Sequence, residues 1–484
     1  MAERTKTPLK KLDNNRYLVE KHGAMRVDGL IFLDDELLKI LGTDESIKQV
    51  ENVACLPGIV GASMAMPDMH WGYGFPIGGV AAFDAEEGVI SPGGVGYDIN
   101  CGVRLMRSSL NAKEIKEELS QIIDNLFVNI PSGVGSHRKD LKLSRDEIRK
   151  VLHKGARWAV EKGYGDAGDL RRMEDNGELS HADPDSVSER AYERGKDQLG
   201  TVGSGNHFVE VGRISEIYDE KTAQAFGLFI DQITIMIHSG SRGLGYQVCD
   251  DYIREMIRAS EKYGISLPDR QLCAAPFTSD EGRRYFGAMA AAANYAFANR
   301  QMITHWVRET FEKSLRTSAS HLGLSLVYDV CHNIAKLEKH RVKGKDVALC
   351  VHRKGATRAF GSGSRGLPDE YRHVGQPVLI PGDMGRASYV LCGTEAAMDE
   401  TFGSTCHGAG RVMSRGQAIR AAKGRALHKE MEDKGIYVKA ASKTTLAEEM
   451  PEAYKDVSRV VRVVHDAGIS RLVAKIIPLG CIKG

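Results

Sequence analysis

The amino-acid sequence predicts an α+β fold, one large domain with mixed sheets flanked by helices and a metal site at strand ends and in loops. Segments of strand and helix length follow one another without the regular βαβ rhythm of a parallel sheet. The residues of chemical interest are spread from Asp98 to Lys483, so one integrated unit over residues 1–484 is expected, although length alone would allow about three domains. These observations argue against a TIM barrel and a doubly wound sheet.

The individual elements follow from the residue pattern in chain order. Apolar residues at helical spacing predict helices, and short runs rich in β-branched and aromatic residues predict strands. Helices are expected at 112–127, 145–162, 186–198, 247–263, 279–315 with room for a break, and 411–434, which is rich in Ala, Arg, Lys and Glu. Strands are expected at 78–83, 102–108, 208–211, 228–237, 324–330, 377–380 and 387–391.

Composition indicates a globular protein of the cytoplasm. Hydrophobic residues make up 42% of the chain, enough for a sizeable core. The first eight residues lack the apolar segment of a signal peptide. The longest uncharged helical stretch, 285–299, is shorter than the roughly 20 residues of a membrane span, so it is expected to be a buried core helix. Nine scattered cysteines argue against a disulfide framework and for a reducing compartment.

Four segments far apart in the chain contain residues that bind metals. The candidate ligands are Asp98 and Cys101 in GYDINCG, His207 in GSGNH, His238 in IMIHSG and His332 in YDVCHN. A carboxylate, a thiolate and three imidazoles exceed what one tetrahedral ion takes from a protein, so one or two divalent ions are expected. Each residue alone fits a structural role as well, because buried cysteines usually behave as small hydrophobes. The shared position of His238 and His332 after strand-like runs favours a site.

A further segment, Cys-His-Gly-Ala-Gly-Arg at 406–411, indicates that the metal site serves nucleotidyl transfer. Its glycines come just before the expected helix 411–434, and backbone N–H groups at a helix N-terminus bind phosphate. His407 would stand beside that phosphate, where a neutral imidazole can attack phosphorus and form a phosphoramidate. A glycine-rich helix entry with only a capping role fits these six residues equally well.

Six segments, taken in this order, resemble the RtcB family of tRNA-splicing RNA ligases. They read GVGYDINCGVR (94–104), GSGNHFVE (203–210), HSGSRGLG (238–245), YDVCHNIAK (328–336), HRKGATRAF (352–360) and HGAGR (407–411). The resemblance extends from about Pro67 to the C-terminal Lys-Gly. Several such motifs in one order are far more specific than a short glycine pattern.

The resemblance implies an enzyme that uses GTP and manganese to join an RNA 3′-phosphate or 2′,3′-cyclic phosphate end to a 5′-hydroxyl end. A histidine takes GMP from GTP, any cyclic phosphate is opened, GMP passes to the 3′-phosphate, and the 5′-hydroxyl then displaces it. His407 matches the histidine that carries GMP. The residues that match the two Mn²⁺ sites are Asp98, Cys101 and His207 for one ion, and Cys101, His238 and His332 for the other, with the thiolate as bridge.

The resemblance also implies a guanylate-binding site. The matching positions are Asn206, His207, Phe208, Val209, Glu210, His332, Asn333, Pro381, Gly382, Asp383, Met384, Ser388, His407, Gly408, Ala409, Gly410 and Lys483. One position departs from the pattern, since some members carry Ser where this chain has Asp383. A carboxylate beside a phosphate would repel it, whereas one that faces the N–H edge of guanine would accept hydrogen bonds. We therefore expect Asp383 to contact the base or the ribose.

Residue chemistry and resemblance disagree about the metal. Thiolate and imidazole ligands suit zinc, and manganese lies at the weak end of the affinity order. We follow the resemblance for the working metal and expect zinc or copper to displace it. Two neighbouring cations would neutralise phosphates and stabilise the attacking and leaving oxygens of an in-line displacement.

Two weaker features suggest phosphate binding. The hexapeptide SGSRGL occurs at 239–244 and at 362–367, so Arg242 and Arg365 lie in glycine-rich turns where a guanidinium could hold two oxygens. Plain turn chemistry is the alternative. Residues 336–358 contain eight Lys or Arg and would guide an RNA backbone, unless they form a solvated basic loop. The net charge of only +2 gives no global sign of a nucleic-acid partner.

Two alternatives from other functional classes stay open. A metal-dependent phosphoesterase that opens cyclic phosphates would need the Cys/His/Asp cluster but neither His407 nor a guanine pocket. A noncatalytic RNA-binding protein would need only the basic stretch. The expected partner is RNA, such as broken or spliced tRNA ends, with no membrane involved, and an archease-type activating protein serves some relatives of the family.

Overall fold

The computed structural model describes residues 8–138 and 140–484. Its strands are β1 (Lys10–Lys11), β2 (Arg16–Val19), β3 (Asp28–Phe32), β4 (Ile59–His70), β5 (Ile77–Asp84), β6 (Val89–Ile90), β7 (Gly102–Asn111), β8 (Phe208–Ile217), β9 (Gln232–Ser239), β10 (Ala275–Pro276), β11 (Ser325–Cys331), β12 (Asn333–Val342), β13 (Lys345–Lys354), β14 (Ala356–Arg358), β15 (Pro377–Ile380), β16 (Ser388–Gly393), β17 (Ser404–Cys406), β18 (Tyr437–Ala440) and β19 (Ser470–Lys483). The expectation about a signal peptide rests on residues that lie almost entirely outside this range.

Most helices are short, and the two long ones are α9 and α10. The helices are α1 (Asp35–Leu41), α2 (Ser46–Val53), α3 (Leu119–Asn129), α4 (Arg145–Lys154), α5 (Ala156–Glu161), α6 (Ala167–Arg171), α7 (Glu189–Gly195), α8 (Glu220–Phe226), α9 (Arg242–Lys262), α10 (Asp280–Leu315), α11 (Glu395–Glu400), α12 (Arg415–Ala421), α13 (Leu427–Glu432), α14 (Lys443–Glu448) and α15 (Val457–Asp466). Short 3₁₀ turns lie at Pro92–Gly94, Glu174–Gly177, Pro184–Ser186, Arg270–Leu272 and Pro451–Ala453.

Two large mixed sheets form the framework. The first has the order β1-β2-β3-β4-β5-β13-β12, in which only β3 and β4 run parallel. The second has the order β11-β7-β9-β8-β19-β16-β15, and β18 joins β19 in parallel. Helices flank both sheets, so the predicted α+β class with mixed sheets is confirmed. Each predicted strand is present, most of them longer than expected.

Helix α10 is the longest element and crosses the main hydrophobic core. It begins at the N-cap Ser279, whose hydroxyl accepts a hydrogen bond from the Gly282 N–H, and it continues without the break that the sequence leaves possible. Its uncharged middle is buried, as the sequence predicts, because Ala side chains at 288 and 290–293 let neighbouring helices and β9 approach closely. In the described part of the chain, no helix has the length and apolar character needed to cross a bilayer.

Three predicted helices differ from the structure. The helix expected at 145–162 breaks at Gly155, where φ is +56° and an added Cβ would lie 2.2 Å from the Gly177 carbonyl oxygen. The helix expected at 411–434 is wrong as one element, because it splits into α12 and α13 around Gly424, which has φ of +83°. Helix α3 begins only at Leu119, after a run of turns.

The basic stretch 336–358 is neither a solvated loop nor a continuous track for RNA. It forms most of the β12–β13 hairpin, and half of its cations are buried: Lys336, Arg353, Lys354 and Arg358. Lys336 is bonded to Glu174 and Asp175, and Arg353 forms a bidentate pair with Glu338. The exposed cations are Lys339, Arg341, Lys343 and Lys345, towards the turn of the hairpin.

Candidate metal and nucleotide site

One cavity of about 230 Å³ brings together residues from most of the predicted motifs. Its walls include the metal candidates Asp98, Cys101, His238 and His332, and the nucleotide candidates Asn206, Phe208, Asn333, Pro381, Gly382, Asp383, His407, Gly408, Ala409, Gly410 and Lys483. The motifs are separated by up to several hundred residues in the chain. Their meeting in one cavity is the central structural result.

Strand register explains how the metal candidates meet. In the second sheet β7 lies between β11 and β9, and β8 is the other neighbour of β9. His238 is opposite Val103 on one side and opposite Phe208 on the other, while Gly102 is opposite Cys331. The loop before β7, the residue before β8 and the residue after β11 therefore reach the same edge of the sheet as His238.

The ligand atoms form two groups that share the Cys101 thiol. The Sγ atom of Cys101 lies 3.1 Å from Nε2 of His207 and 3.3 Å from Nε2 of His238. On one side, Nε2 of His207 is 2.9 Å from a carboxylate oxygen of Asp98. On the other side, the Nε2 atoms of His238 and His332 are 3.3 Å apart. Cys101, His207 and His238 are buried and have the spacing of a metal cluster.

The electrostatics of the cluster suit a divalent cation. Burial raises the pKa of the Cys101 thiol well above its usual range, and the neighbouring Asp98 carboxylate adds to that effect. Burial lowers the pKa of both His238 and His332, so their imidazoles are neutral, the form that binds metals. Burial opposes ionisation of Asp98, but the charge and hydrogen bond of His207 keep its pKa below the ordinary value. A cation would supply the positive charge that a thiolate needs here.

Asn299 and Arg300, two consecutive residues of α10, donate hydrogen bonds to the loops that carry the metal candidates. The sequence motifs did not reveal either residue. The buried Arg300 guanidinium donates to the carbonyl oxygen of Asn100 at 2.8 Å. The Asn299 side chain donates to the carbonyl oxygens of Gly240 and Thr201 at 3.1 and 3.2 Å. The available signal was the run Asn-Arg-Gln that follows the Ala-rich stretch in the middle of α10, because buried polar groups require partners.

His407 is held by a carboxylate that the sequence motifs did not reveal. Nδ1 of His407 lies 2.5 Å from a carboxylate oxygen of Asp68 on β4. The same oxygen accepts hydrogen bonds from the backbone N–H groups of His407 at 2.9 Å and Gly408 at 3.2 Å. An ionised Asp68 can only accept, so the proton of the His407 ring is on Nδ1 and the Nε2 lone pair is free.

Lys455 fixes the strand on both sides of Asp68. Its buried ammonium group donates to the carbonyl oxygens of Pro67 at 3.0 Å and Met69 at 2.6 Å. Burial lowers the pKa of Lys455 to about 8, and the Asp68 charge opposes that shift. The lysine thus places a positive charge near the carboxylate without forming a direct bond to it.

The prediction that 407–411 runs directly into a helix is wrong. Helix α12 begins only at Arg415 and has its own N-cap in Ser414, four residues after the N-cap position that the motif would require. The N–H groups of His407 and Gly408 are already bonded to Asp68. Gly410 instead permits a close approach to β4, since an added Cβ would lie 2.2 Å from the Asp68 carbonyl oxygen.

Two buried carboxyl groups with unused acceptor atoms lie at the far end of the cavity: Asp383 lines it, whereas Glu210 lies behind the lining residues. Glu210 on β8 is opposite Cys481 on β19, so it lies diagonal to Lys483 on the paired strand. Burial raises the pKa of Glu210 to about 8, and one of its oxygens has no hydrogen-bond partner. Burial also raises the pKa of Asp383, which accepts from the Gly385 N–H and has its second oxygen 3.4 Å from Arg386 without a hydrogen bond.

Lys483, the penultimate residue, is buried at this end. Its ammonium nitrogen lies 3.6 Å from a carboxylate oxygen of Glu449 and 5.5 Å from the centre of the Phe208 ring. The apolar run 472–482 continues as β19 and carries the lysine inward, as its composition suggests.

The remaining candidates have different surroundings. Asn333 donates to the Asp98 carbonyl and accepts from the Gly355 N–H, so it braces the metal loop. Ser388 accepts from the Gly382 N–H. The side chains of Val209 and Met384 pack into hydrophobic clusters and do not line the cavity.

The repeated SGSRGL segments differ from each other. Arg242 is largely buried and donates to the Thr201 hydroxyl and the Gly133 carbonyl, beside the metal cluster. Arg365 lies in an exposed turn and does not line the cavity. The repeat is therefore not a repeated site.

Comparison with known proteins agrees with the resemblance. Residues 49–484 match the sequence profile of the family described as tRNA-splicing ligase RtcB. The tRNA-splicing ligase RtcB of Thermococcus kodakarensis is 55% identical over 482 residues, covering 99% of this chain and 100% of that protein. The protein of the same name from Archaeoglobus fulgidus is 56% identical over 478 residues, covering 98% and 99%. The one from Methanococcus maripaludis is 54% identical over 461 residues, covering 95% and 96%. The chain belongs to the RtcB family.

Proposed function

We propose that this protein is a GTP- and Mn²⁺-dependent RNA ligase that joins 3′-phosphate or 2′,3′-cyclic phosphate ends to 5′-hydroxyl ends through a covalent histidine-GMP intermediate. The observation that carries the proposal is the pairing of His407 with the buried Asp68 in the same cavity as the Cys/His/Asp cluster. A phosphoesterase would need the cluster but has no use for an oriented nucleophile. Tight family membership supports the same reading.

In the first step His407 acts as the nucleophile. Its Nε2 lone pair forms a bond to the α-phosphorus of GTP, and the bond from that phosphorus to the bridging oxygen of the β-phosphate breaks. Pyrophosphate leaves with the electron pair. The Asp68 carboxylate accepts a hydrogen bond from the proton on Nδ1, so that proton stays on the ring. The carboxylate also stabilises the positive charge that the ring gains, as an oriented carboxylate does for a catalytic histidine.

In the later steps His407 is the leaving group and the cavity holds RNA ends. An oxygen of the RNA 3′-phosphate bonds to the phosphorus of GMP, and the bond to Nε2 breaks. The RNA 5′-hydroxyl oxygen then bonds to the 3′-phosphorus, loses its proton and expels GMP. A cyclic phosphate is opened first: a water oxygen bonds to phosphorus, the bond from phosphorus to the 2′ oxygen breaks, and that oxygen takes a proton, which leaves the 3′-phosphate monoester that accepts GMP.

We propose two Mn²⁺ sites that share Cys101. The pairs Asp98–His207 and His238–His332 lie on opposite sides of the thiol, which supports one ion for each pair. When bound, such ions neutralise phosphate charge and lower the pKa of a coordinated hydroxyl. The soft donor set also predicts that zinc displaces manganese.

We propose that the far end of the cavity reads guanine. Guanine presents N–H donors on its base-pairing edge, and Glu210 and Asp383 are buried carboxyl groups with unused acceptor atoms. Lys483 would donate to an acceptor of the base. This division places the base at the β8–β19 end and the phosphates beside His407. Asp383 as a base or ribose contact is compatible with its position.

The proposal extends to partners and setting. RNA, such as broken or spliced tRNA ends, would be the substrate, residues 1–484 would form one catalytic unit, and an archease-type protein would assist turnover in the cytoplasm. The names of the relatives, tRNA-splicing ligases, support the RNA substrate.

Incubation with α-labelled GTP and Mn²⁺ tests the function. We expect label that survives denaturation of the protein, and ligation of a 2′,3′-cyclic phosphate RNA to a 5′-hydroxyl RNA. Opening of the cyclic phosphate without protein-bound label would indicate the phosphoesterase. RNA binding without either reaction would indicate the noncatalytic alternative.

A further inference from the structure

Three tyrosine rings contact one another close in the chain to residues of the metal end of the cavity. The Tyr97 and Tyr246 rings stack with centroids 4.7 Å apart and planes at 27°. Tyr73 meets the other side of Tyr97 edge-on, with centroids 5.7 Å apart. The Arg194 guanidinium lies over the Tyr246 ring, 4.9 Å from its centre. We call these four residues the aromatic row.

The row is attached to the cavity at separate points. Tyr97 directly precedes Asp98, which lines the cavity. Tyr246 lies on the second turn of α9, and the residue before that helix, Ser241, donates its N–H to Asp98 at 3.1 Å. Tyr73 lies in the loop after β4, three residues beyond the cavity residue His70. Short backbone connections therefore link three members of the row to residues that line the cavity or bond to its lining.

The row is also held in place. The buried Lys354 ammonium donates to the carbonyl oxygens of Tyr73, Phe75 and Gly93, which ties the Tyr73 loop to the turn before Tyr97. Arg194 donates to the Gln247 side chain at 3.1 Å, which fixes its guanidinium over the ring. A preorganised surface loses less conformational entropy when a ligand binds.

The outer end of the row is open to solvent. Tyr246 is 45% exposed, although an aromatic ring of this size gains free energy by burial. Tyr97 stacks on the Tyr246 ring and the exposed Arg194 guanidinium lies over it, so an unpaired nucleobase can stack on the guanidinium plane that the ring supports, and a phosphate can pair with its charge.

We propose that the aromatic row is a stacking platform for nucleobases of single-stranded RNA next to the end that enters the cavity. The inference rests on the proposed RNA substrate and adds where the strand lies outside the reaction centre. Because every base has a π face, the platform accepts any sequence near the break. A protein partner is the competing occupant of the exposed ring.

The test compares four variants of the full-length protein: Tyr246→Ala, Tyr246→Leu, Tyr246→Phe and, as matched control, Tyr263→Ala. Tyr263 follows the last turn of the same helix, is 38% exposed and has Lys262 over its ring at 4.8 Å. The readout is the Kd for a short single-stranded 5′-hydroxyl RNA, measured by fluorescence anisotropy. Labelling by α-labelled GTP in each variant checks that the reaction centre is intact.

We expect the Ala and Leu variants of Tyr246 to bind RNA about tenfold more weakly, the scale of one lost base–aromatic stack. The Kd for RNA should stay within about twofold of the parental value in Tyr246→Phe, which keeps an aromatic ring, and in Tyr263→Ala, which lies outside the row. Unchanged RNA affinity in Tyr246→Leu would overturn the platform, and so would an equal loss in Tyr263→Ala.

The platform and the proposed ligase can fail separately. Normal GTP labelling and ligation together with unchanged RNA affinity in Tyr246→Ala would remove the platform and keep the ligase. Weakened RNA binding in a protein that never takes label would keep the platform and remove the ligase. Loss of binding to a protein partner, with RNA affinity unchanged, would assign the surface to that partner and reject the platform.

Discussion

Two regions of the cavity, the metal end and the region around His407, which we call the nucleophile end, differ in how many of their polar groups already have partners within the protein. At the metal end, the Nε2 atoms of His207 and His238 contact the Cys101 thiol and that of His332 contacts Nε2 of His238, while the Nδ1 atoms of all three histidines have no hydrogen-bond partner. At the nucleophile end, the ring and backbone of His407 already share the Asp68 carboxylate.

The difference has an electrostatic cause. The metal end holds groups that can become anionic, while burial keeps the His238 and His332 imidazoles neutral and raises the pKa of the Cys101 thiol well above its usual range. The nucleophile end has its charge balance built in, because Asp68 lies near the buried ammonium of Lys455. Variants should therefore separate metal content from nucleotidyl transfer.

The largest effect is expected for His407→Ala. Without an attacking nitrogen, GMP labelling and ligation should fall below detection, while manganese content stays at the parental level because His407 is not among the clustered ligands. The parental adduct should be acid-labile and base-stable, as a phosphoramidate is. His428→Ala, at an exposed histidine of α13, is the control and should keep full labelling. Labelling that persists in His407→Ala would remove this residue from its role.

Cys101→Ser and His238→Ala sharpen the description of the metal end. A hydroxyl is far harder to deprotonate than a thiol of pKa about 8.5, so Cys101→Ser should lose both ions. His238→Ala should lose mainly the ion it shares with His332, which leaves Asp98 and His207 to hold the other. Elemental analysis at saturating Mn²⁺ measures the ion count: about two in the parent, about one in the histidine variant and near none in the cysteine variant. Two retained ions in Cys101→Ser would show that the thiol is structural.

Asp68→Asn tests whether the nucleophile end depends on orientation. The amide keeps the shape of the side chain but removes the charge that holds the Nδ1 proton, so the rate of adduct formation should fall about 10²- to 10⁴-fold. Metal content should not change. Asp84→Asn is a matched control at the other end of the neighbouring strand β5, where the carboxylate only accepts from the N–H groups of Glu86 and Glu87. Equal losses in both variants would indicate damage to the sheet.

The residue pattern was sufficient to find the metal candidates but not the groups that orient them. His238 and His332 follow apolar runs, and such runs place their last residues at a sheet edge. Asp68 and Lys455 lie in no comparable motif, and Asp68 meets His407 across 339 positions of the chain. A contact at that separation is set by sheet order, which composition does not reveal.

Two further misses have local causes. The sequence predicts a basic stretch at 336–358 that guides RNA or forms a solvated loop, and neither prediction finds the ion pairs of Lys336, because Glu174 and Asp175 lie about 160 positions away in the chain. The helix expected at 411–434 has good helix-forming composition, but Gly424 in a left-handed conformation separates α12 from α13. The fold class was predictable because it needs only element types, whereas the site needs their register.

Removal of Lys483 and Gly484 probes the far end of the cavity. Loss of the buried ammonium should weaken GTP binding about 10- to 100-fold, the scale of a buried charged contact, and leave Mn²⁺ binding unchanged. Lys483→Met keeps the β19 backbone intact and should show a similar loss, which separates the charge from the fold. Lys439→Met, on the exposed edge of the neighbouring β18, is the control. Unchanged GTP affinity in Lys483→Met would mean that the lysine side chain only packs in the protein interior and does not contact GTP.

The smallest expected effect is a pH dependence of GTP binding through Glu210. Burial raises its pKa to about 8. In the free protein the carboxyl is therefore mostly protonated at pH 7, and its ionised form accumulates as the pH passes 8. If guanine N–H groups bind the carboxylate, GTP affinity should rise about tenfold from pH 7 to pH 8.5, in proportion to the ionised fraction.

The sign is opposite for stability of the free protein. A carboxyl with a raised pKa stabilises the folded state below its unfolded pKa, and that contribution is lost as the pH rises through about 8. GTP should therefore protect against thermal unfolding more strongly at pH 8.5 than at pH 7. Glu210→Gln removes the titration and should flatten both curves, while Glu216→Gln, an exposed position on the same strand, should keep them. If Glu210→Gln keeps the parental pH dependence of GTP affinity, another group titrates. Glu210 would then not be the carboxylate that reads guanine, and the base end of the cavity would lack the residue that distinguishes it from the metal end.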